Sequence, residues 1–337
     1  MRGLSVIICC HNSQSRIADT LHALQQQKCL EDLRWEVLLV DNASDDNTVE
    51  VAQEIWEKSP VVSMRIVSEN KLGLSYARTK GVSEARYSYV SFIDDDNWVC
   101  NNWVAKVYTI FEENPEVGAC GGLNKPVFEV EPPHWFNEFQ KSYAVGPQAE
   151  HAGDITWSHG VLCGAGLSIR VSAWQELFAN GFMFNLVGRQ GGKLLCGEYY
   201  EFCHALRLTG WKIWYEPDLT LDHFIPRTRL SWVYLRKMIK GFGFVRHRLS
   251  AYGYGKTKET ILKRRLWAWP CSAFFLVLKS LEFGVKAIWL RILLKDTKRA
   301  TITFDLAISE LKEVLWLKGQ YNLFAKRIFS ANWNKIT

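Results

Sequence analysis

Three consecutive carboxylates, Asp94-Asp95-Asp96, follow the apolar segment Tyr87–Ile93 and are the strongest chemical feature of the sequence. Adjacent carboxylates repel one another, so such a run costs stability unless a cation neutralises it. Mg²⁺ and Mn²⁺ prefer oxygen ligands of this kind and also bind phosphate oxygens. The run therefore predicts a Mn or Mg site that holds a phosphorylated ligand, in preference to a solvated turn.

The acidic run is the last of four polar strand ends along the chain. Three earlier apolar segments, Leu4–Cys10, Trp35–Val40 and Met64–Val67, alternate with helical patterns, one of them from about Thr48 to Lys58, and this order predicts a mostly parallel α/β sheet. Further along the chain, Glu198–Thr209 has a helical pattern, and Trp211–Tyr215 has a strand pattern that ends at Pro217. The polar residues after the three apolar segments are Asn12, Asp41 and the pair Glu69-Asn70. Because ligands of parallel sheets gather at the carboxyl ends of the strands, all four ends are expected to border one site.

Two common phosphate-binding motifs are missing from the sequence. It contains no Gly-x-x-x-x-Gly-Lys segment, and no Gly-x-Gly-x-x-Gly follows the first predicted strand. The phosphates would then be held by the metal and a few basic side chains. A nucleotidyltransferase also uses an acidic metal site, but it usually carries a Gly-rich basic signature near its N-terminus. Ser5–Asn12 has none, so that class is the weaker hypothesis.

Four segments in order, SVIICCHN, VLLVDNASDD, SENKLGLSYARTKG and FIDDDN, resemble the inverting family 2 glycosyltransferases of bacterial polysaccharide biosynthesis. The resemblance runs from about Ser5 to about Gly243. It implies a GT-A fold, a mostly parallel twisted sheet flanked by helices. It also implies transfer of a sugar from a nucleotide-diphosphate sugar, with a UDP-linked donor as the first expectation. The acceptor would be a hydroxyl of a lipid-linked or polysaccharide chain.

The same resemblance implies individual roles for the polar residues. Those expected to contact the nucleoside, the diphosphate or the sugar are Asn12, Asp41, Glu69, Asn70, Gly73, Arg78, Asp94 and Asp95. Asp96 is expected to bind the metal directly, and His223 would complete the metal or diphosphate site. Arg189 and Lys193 lie in a Gly-rich stretch, where they would clamp a diphosphate or an anionic acceptor, or serve only as surface charges.

One position departs from the family pattern. The family base is an Asp in a Glu-Asp pair that opens a helix, and Tyr199 stands at the Asp position here. A phenol with a pKa of about 10 is a poor base at neutral pH. Three interpretations remain: Glu198 is the base, Glu201 reaches the same side from one turn further on, or the protein binds a nucleotide-sugar without catalysis.

The C-terminal third differs in character from the rest. Residues 221–337 hold 23 Lys and Arg against 7 Asp and Glu, whereas residues 1–220 hold 18 against 28. We expect a catalytic domain over residues 1–230 and a basic, aromatic-rich helical region over residues 231–337. That region would lie on an anionic membrane surface, or pack as a helical hairpin on the catalytic domain or on a second copy in a homodimer.

Several classes and locations are disfavoured by the sequence. The sequence has no apolar stretch of about 18 uncharged residues, so no membrane span is predicted. It also has no motif typical of nucleic-acid binding beside its basic charge. The nine Cys are irregularly spaced, which favours reduced thiols over a disulfide framework. With no secretory signal pattern at Met1, the expectation is a cytoplasmic protein at the inner face of the cell membrane.

Overall fold

A computed structural model describes residues 1–186, 197–252, 269–292, 296–317 and 320–335. Across these ranges, one nine-stranded sheet forms the centre, with the order β3-β2-β1-β4-β8-β6-β9-β5 and with β7 paired to β9. The strands are β1 Leu4–Cys10, β2 Trp35–Asp41, β3 Met64–Ser68, β4 Tyr89–Asp94, β5 Asn97–Val99, β6 Val117–Phe128, β7 Gly153–Asp154, β8 Ser168–Arg170 and β9 Lys212–Ile225.

The helices cover both faces of this sheet and continue beyond it. They are α1 Ile17–Gln25, α2 Thr48–Lys58, α3 Leu74–Glu84, α4 Trp103–Glu113, α5 Phe136–Phe139, α6 Val171–Ala179, α7 Glu198–Thr209, α8 Trp232–Leu249, α9 Trp269–Ile292, α10 Thr297–Leu317 and α11 Gln320–Phe329. Short 3₁₀ turns span Gln140–Tyr143, Arg227–Arg229 and Ser250–Tyr252. The predicted α/β class is confirmed.

Strands β1 to β4 are parallel, and their composition follows from burial on both faces. Val6 and Ile8 of β1 share one core with Leu39 of β2, whereas Ile7 shares the opposite core with Leu38. Because successive strand side chains point to opposite faces, a continuous apolar run is needed when helices cover both sides. The described cysteines, including Cys9 and Cys10, are free thiols.

Glu36 is an exception to the apolar pattern of β2. Its carboxylate is fully buried, and it accepts hydrogen bonds from the Ser5 hydroxyl at 2.8 Å, Arg65 Nε at 2.9 Å and the Arg86 backbone N–H at 3.0 Å. Burial alone would raise the pKa of Glu36, but these hydrogen bonds outweigh it and hold the pKa below its ordinary value. The network ties β1, β2 and β3 together at the edge away from the acidic run.

Strand β9 is longer than the sequence predicts. We expected a strand over Trp211–Tyr215 that ended at Pro217, but the strand runs from Lys212 to Ile225. Pairing with β6 skips from Gly122 opposite Glu216 to Leu123 opposite Thr220, so Pro217 lies in a bulge where no ladder hydrogen bond is required. Gly122 allows this, since a Cβ there would lie 1.6 Å from the Leu219 carbonyl oxygen.

The C-terminal helices form layers on the part of the protein that contains the sheet. Helix α8 packs into it through a core that contains Leu235, Met238 and the strand residue Ile225. Helix α10 packs on α8 with ion pairs such as Arg236–Asp305 at 2.6 Å and α9 packs on α10. Part of the basic charge of α8 is therefore neutralised within the protein.

The outer face of α9 is apolar. Five of its exposed apolar side chains recur at intervals of three and four residues, and they are between 44% and 67% exposed: Leu278, Leu281, Val285, Ile288 and Ile292. Such spacing puts them on one side of the helix. None of the helices in the described ranges has the length and apolarity that a membrane crossing requires.

Candidate active site

A cavity of about 460 Å³ opens at the carboxyl edge of the sheet. Seven of the residues predicted to bind the donor or metal or to catalyse line it: Gly73, Arg78, Asp94, Asp95, Asp96, Glu198 and His223. The β1 end, the first turns of α3 and α7, strand β9 and helix α8 all contribute to its walls. Of the four predicted strand ends, the acidic run lines this cavity, and a buried Glu lies on the far side.

Asp95, the middle carboxylate, is held by two residues that precede the first helix. Arg16 donates to it from Nε at 2.8 Å and approaches it with Nη2 at 2.7 Å, and the Ser13 hydroxyl also donates to it. Burial and the neighbouring Asp96 charge raise the pKa of Asp95, and Arg16 opposes that rise. Ser13 and Arg16 were not predicted from the sequence, because a single basic or hydroxyl residue carries no local signal of its partner.

Asp96 is the most deeply buried of the three carboxylates, at 4% exposure. One oxygen accepts a hydrogen bond from the Asn97 side-chain amide at 3.0 Å and lies 3.8 Å from His223 Nε2; the other is 2.9 Å from Arg229 Nη1. The antiparallel pairing of β5 with β9 puts Asn97 opposite His223. This pairing explains why His223 comes so close to an acidic run more than a hundred residues earlier in the chain.

The ligand atoms of Asp96 and His223 fit a divalent cation that takes its remaining ligands from phosphate and water. Within the described ranges, no group of three or more His, Cys, Asp or Glu side chains is arranged to hold a metal ion. Mg²⁺, however, usually takes only one or two protein ligands and completes its shell with phosphate oxygens and water. Asp96 and His223 would supply such a partial shell.

Arg78 connects the acidic run with the opposite wall. Its buried guanidinium lies 3.5 Å from Asp94 Oδ1 and 3.6 Å from Glu198 Oε1, and it donates to the Gly164 carbonyl at 3.2 Å. Helix α3, which carries Arg78, begins after Gly73. Gly73 adopts a φ of 143°, which favours glycine, and its N–H donates to Asn42 Oδ1 at 2.8 Å. Asn42 was not predicted as a site residue.

Glu198 is the first residue of α7 and is only 2% exposed. Its carboxylate forms an ion pair with Arg78 and accepts a hydrogen bond from the Gly197 N–H at 3.0 Å. Tyr199 also lines the cavity and packs closely against Gly164. Both residues of the altered Glu-Tyr pair therefore border the space that faces the acidic run.

Glu201 corrects one sequence interpretation. Its carboxylate does not line the cavity; it accepts hydrogen bonds from the backbone N–H groups of Asn185 and Leu186, both at 2.9 Å, and from the Tyr252 hydroxyl at 2.6 Å. Burial raises the pKa of Glu201, and these donors oppose the rise. A carboxylate committed to anchoring a loop cannot reach an acceptor in the cavity, so Glu201 is not a candidate base.

The other predicted donor-contacting residues lie outside the cavity lining. Asn12 Oδ1 accepts from the Asp45 N–H at 2.8 Å, Asp41 Oδ1 from the Ser44 N–H at 3.3 Å, and Glu69 Oε1 from the Lys71 N–H at 2.8 Å. These three side chains brace the loops at the strand ends, and Asn70 follows Glu69 in one of them. Arg189 and Lys193 lie outside the described residues.

An apolar wall completes the cavity on the side of α8. It includes Tyr143, Ile225, Tyr234 and Met238, and the rings of Tyr143 and Tyr234 stack with centroids 6.2 Å apart. Arg229 also lines this side. The sequence analysis did not identify these residues, since they come from three separate segments with no shared motif.

The sheet order and the acidic run at its carboxyl edge define the GT-A class of glycosyltransferase fold. A solved mannosyltransferase, PcManGT from Pyrobaculum calidifontis in complex with GDP-Man and Mn²⁺, matches 94% of this chain and 88% of its own with a TM-score of 0.61 at 17% identity. TarS from S. aureus in complex with UDP-GlcNAc matches 91% of this chain and 90% of its own with a TM-score of 0.51 at 13% identity.

The sequence model of glycosyl transferase family 2 matches residues 5–178, and the chain belongs to that family. A glucosyl-dolichyl phosphate glucuronosyltransferase from Haloferax volcanii is 25% identical over 71% of this chain and 75% of its own length. An uncharacterized glycosyltransferase, YfnE of Bacillus subtilis, is 32% identical over 41% of this chain, and the alignment spans only 33% of its length.

Proposed function

We propose that this protein transfers a sugar, with inversion, from a nucleotide-diphosphate sugar to an acceptor hydroxyl. One observation carries the proposal: a single guanidinium, Arg78, lies within 3.6 Å of Asp94 on the acidic wall and of Glu198 on the opposite wall. A donor held by the acidic run would thus present its anomeric carbon toward a buried carboxylate. The cavity is lined by the acidic run, which would hold the donor, and by the Glu198 carboxylate, which would accept the proton.

On the donor side, Asp96 and His223 would hold Mn²⁺ or Mg²⁺. When bound, the metal supplies positive charge that stabilises the departing diphosphate. Asp94 and Arg78 would orient the sugar and the diphosphate, and the strand-end residues Asn12, Asp41, Glu69 and Asn70 would border the nucleoside. UDP remains the first expectation for the nucleotide, with GDP as the alternative suggested by the mannosyltransferase of similar fold.

On the acceptor side, Glu198 would remove the proton of the attacking hydroxyl while the glycosidic bond to the diphosphate breaks. The transition state has oxocarbenium character, and in-line attack inverts the anomeric configuration. The apolar wall of Tyr143, Tyr234 and Met238 suits a lipid-linked or glycan acceptor, because aromatic rings pack on sugar faces and on acyl chains. The name of the Haloferax relative, which includes a dolichyl phosphate, is consistent with a lipid-linked acceptor.

The test compares Glu198→Gln with Glu201→Gln, two isosteric changes on the same helix. A nucleotide-sugar screen with Mn²⁺ by thermal shift first identifies the donor. Glu198→Gln is then expected to retain donor binding and to lose turnover by at least about a hundredfold, the usual contribution of a general base. Glu201→Gln is expected to lower the melting temperature and leave turnover near that of the wild type.

The same comparison separates catalysis from mere binding. Normal turnover in Glu198→Gln would exclude Glu198 as the base. Donor binding by the wild type without turnover or donor hydrolysis, across all acceptors, would favour a non-catalytic nucleotide-sugar-binding protein. No stabilisation by any nucleotide-sugar would exclude the proposed donor class.

We also propose that the apolar face of α9 lies on an anionic membrane surface at the cytoplasmic side. The basic charge of residues 221–337 favours such lipids, and Lys286 and Arg291 are exposed on the same helix. Leu281→Glu is expected to abolish co-sedimentation with vesicles containing anionic phospholipid. Leu30→Glu, at an equally exposed position in another region, should leave binding unchanged, since both side chains are 59% exposed.

The alternative occupant of this face is a second copy of the chain. A Leu281→Glu variant that changes from dimer to monomer in solution, with no wild-type binding to vesicles, would favour the homodimer and exclude the membrane proposal.

A further inference from the structure

The Asp96 carboxylate already has a cationic partner in this structure. Arg229 Nη1 lies 2.9 Å from Asp96 Oδ2, and the two side chains are only 20% and 5% exposed. The second carboxylate oxygen accepts from the Asn97 amide and faces His223. Both oxygens of the proposed metal ligand are thus engaged by the protein itself.

A guanidinium and a divalent cation compete for this carboxylate, because two positive charges on its oxygens repel each other. A metal such as Mg²⁺ needs an oxygen at about 2.0–2.1 Å, where it would be repelled by the positive charge of Arg229. In a partly buried site that repulsion is weakly screened. Metal binding at Asp96 is therefore opposed for as long as the Arg229 side chain stays at this carboxylate.

The position of Arg229 would also let its side chain contact an anionic ligand bound in the cavity. It lies in the 3₁₀ turn Arg227–Arg229 directly after β9, and it lines the same cavity as the acidic run. The Tyr143 hydroxyl donates to the Arg229 carbonyl at 3.1 Å, which holds the backbone while the side-chain torsions stay adjustable. A planar guanidinium is well suited to phosphate oxygens, to which it can donate two parallel hydrogen bonds.

We propose that Arg229 exchanges between Asp96 and the donor diphosphate. Without ligands, Arg229 neutralises Asp96. When metal and nucleotide diphosphate bind together, Asp96 would bind the metal and Arg229 would bind the diphosphate. The inference rests on the proposed donor site and adds a specific residue and a coupling to it. Metal alone then binds weakly, and the diphosphate strengthens metal binding because it offers the displaced guanidinium a new partner.

Removal of Arg229 should have opposite effects on the two ligands. Without the competing charge, Mn²⁺ alone should bind about tenfold more tightly, the order expected for one lost unit charge near a partly exposed site. UDP in the presence of Mn²⁺ should bind at least about tenfold more weakly, because a charge-assisted contact is lost. The mutual enhancement of Mn²⁺ and UDP should fall to the part that direct attraction between the metal and the diphosphate supplies.

The experiment titrates Mn²⁺, followed by the electron paramagnetic resonance of the free ion, with and without saturating UDP or GDP. Wild type, Arg229→Gln and Arg227→Gln are compared. Arg227 belongs to the same 3₁₀ turn and loses the same charge, but its side chain is exposed and does not line the cavity. It should behave as the wild type. Arg229→Lys, which keeps the charge, should restore weak binding of Mn²⁺ alone.

The outcomes separate this inference from the proposed function. Binding of Mn²⁺ alone to Arg229→Gln that equals or falls below the wild-type affinity, with nucleotide binding intact in the wild type, would overturn the exchange. Equal tightening in Arg227→Gln would also overturn it, because the effect would then be general charge and not a local competition. Absence of any Mn²⁺-dependent UDP or GDP binding in the wild type would overturn the donor site itself and the exchange with it.

Discussion

Replacement of Arg78 by methionine removes the charge between the two walls of the cavity and leaves a side chain of comparable length. Arg78 is 6% exposed and Glu198 3% exposed, so the carboxylate of Glu198 would become a buried charge without its cation. Breaking a buried pair by removing one partner costs about 3–5 kcal/mol. We expect the free energy of unfolding of Arg78→Met to fall by roughly that amount.

A control on the same helix shows why burial and not contact distance sets this magnitude. Lys80 and Glu84 are closer, at 2.7 Å, than Arg78 and Glu198, at 3.6 Å, but their side chains are 34% and 36% exposed. Exposed pairs are worth about 0.3–0.5 kcal/mol on a helix. Lys80→Met should therefore lower the stability by less than about 1 kcal/mol.

The double variant Arg78→Met/Glu198→Gln isolates the pair. With no unpaired charge left in the protein interior, it should be more stable than Arg78→Met alone, and the interaction energy from a double-mutant cycle should be about 2 kcal/mol or more. Urea denaturation followed by circular dichroism measures all four proteins. A cost of Arg78→Met below about 1 kcal/mol, or additivity in the cycle, would refute the reasoning that Arg78 is the counter-cation of Glu198.

Two further predictions concern the sheet and the cavity wall. Glu36→Gln should cost about 2–4 kcal/mol at neutral pH; because the folded-state pKa of Glu36 lies below its ordinary value of 4.5, the difference from wild type should persist above that pH and shrink as the pH falls further. A pH-independent difference in denaturation would contradict this. Gly164→Ala should cost about 1–3 kcal/mol and weaken donor binding, since the new Cβ would lie 2.9 Å from the Tyr199 ring and 3.1 Å from Arg78. Gly284→Ala, at a helical position with open space, should be neutral or slightly stabilising in the same assay.

Local patterns were sufficient to predict much of the fold. The bounds expected for a helix from about Thr48 to Lys58 and for another over Glu198–Thr209 agree with α2 and α7, and strand β1 agrees with its apolar run. These elements depend on apolar periodicity within a short window, which does not require knowledge of distant contacts. The position of the acidic run at the carboxyl edge of the sheet also follows from the general rule for parallel sheets, whereas Gly73 and Arg78 were expected at the site only from the family resemblance.

Contacts between distant segments could not be predicted in this way. Strand β9 continues past Pro217 because Gly122 of β6 leaves room for the bulge. The residues around Pro217 alone predict a strand end, since they carry no information about Gly122. The two carboxylates of α7 look equivalent in the sequence, yet Glu198 meets Arg78 and Glu201 meets Asn185 and Tyr252. Side-chain partners of this kind are set by which elements pack together.

The sequence by itself determined that this chain forms an α/β sheet with an acidic run at its carboxyl edge, since the alternation of strands and helices is visible in the linear sequence. The order of four motifs, also visible there, led to the GT-A fold by resemblance. Only the tertiary structure decided which charges meet there. Asp96 is paired with Arg229, Asp95 with Arg16 and Glu198 with Arg78, and each pair joins segments from different parts of the chain. A charge in the sequence has no preferred partner until packing excludes water around it and selects the counter-charge within reach.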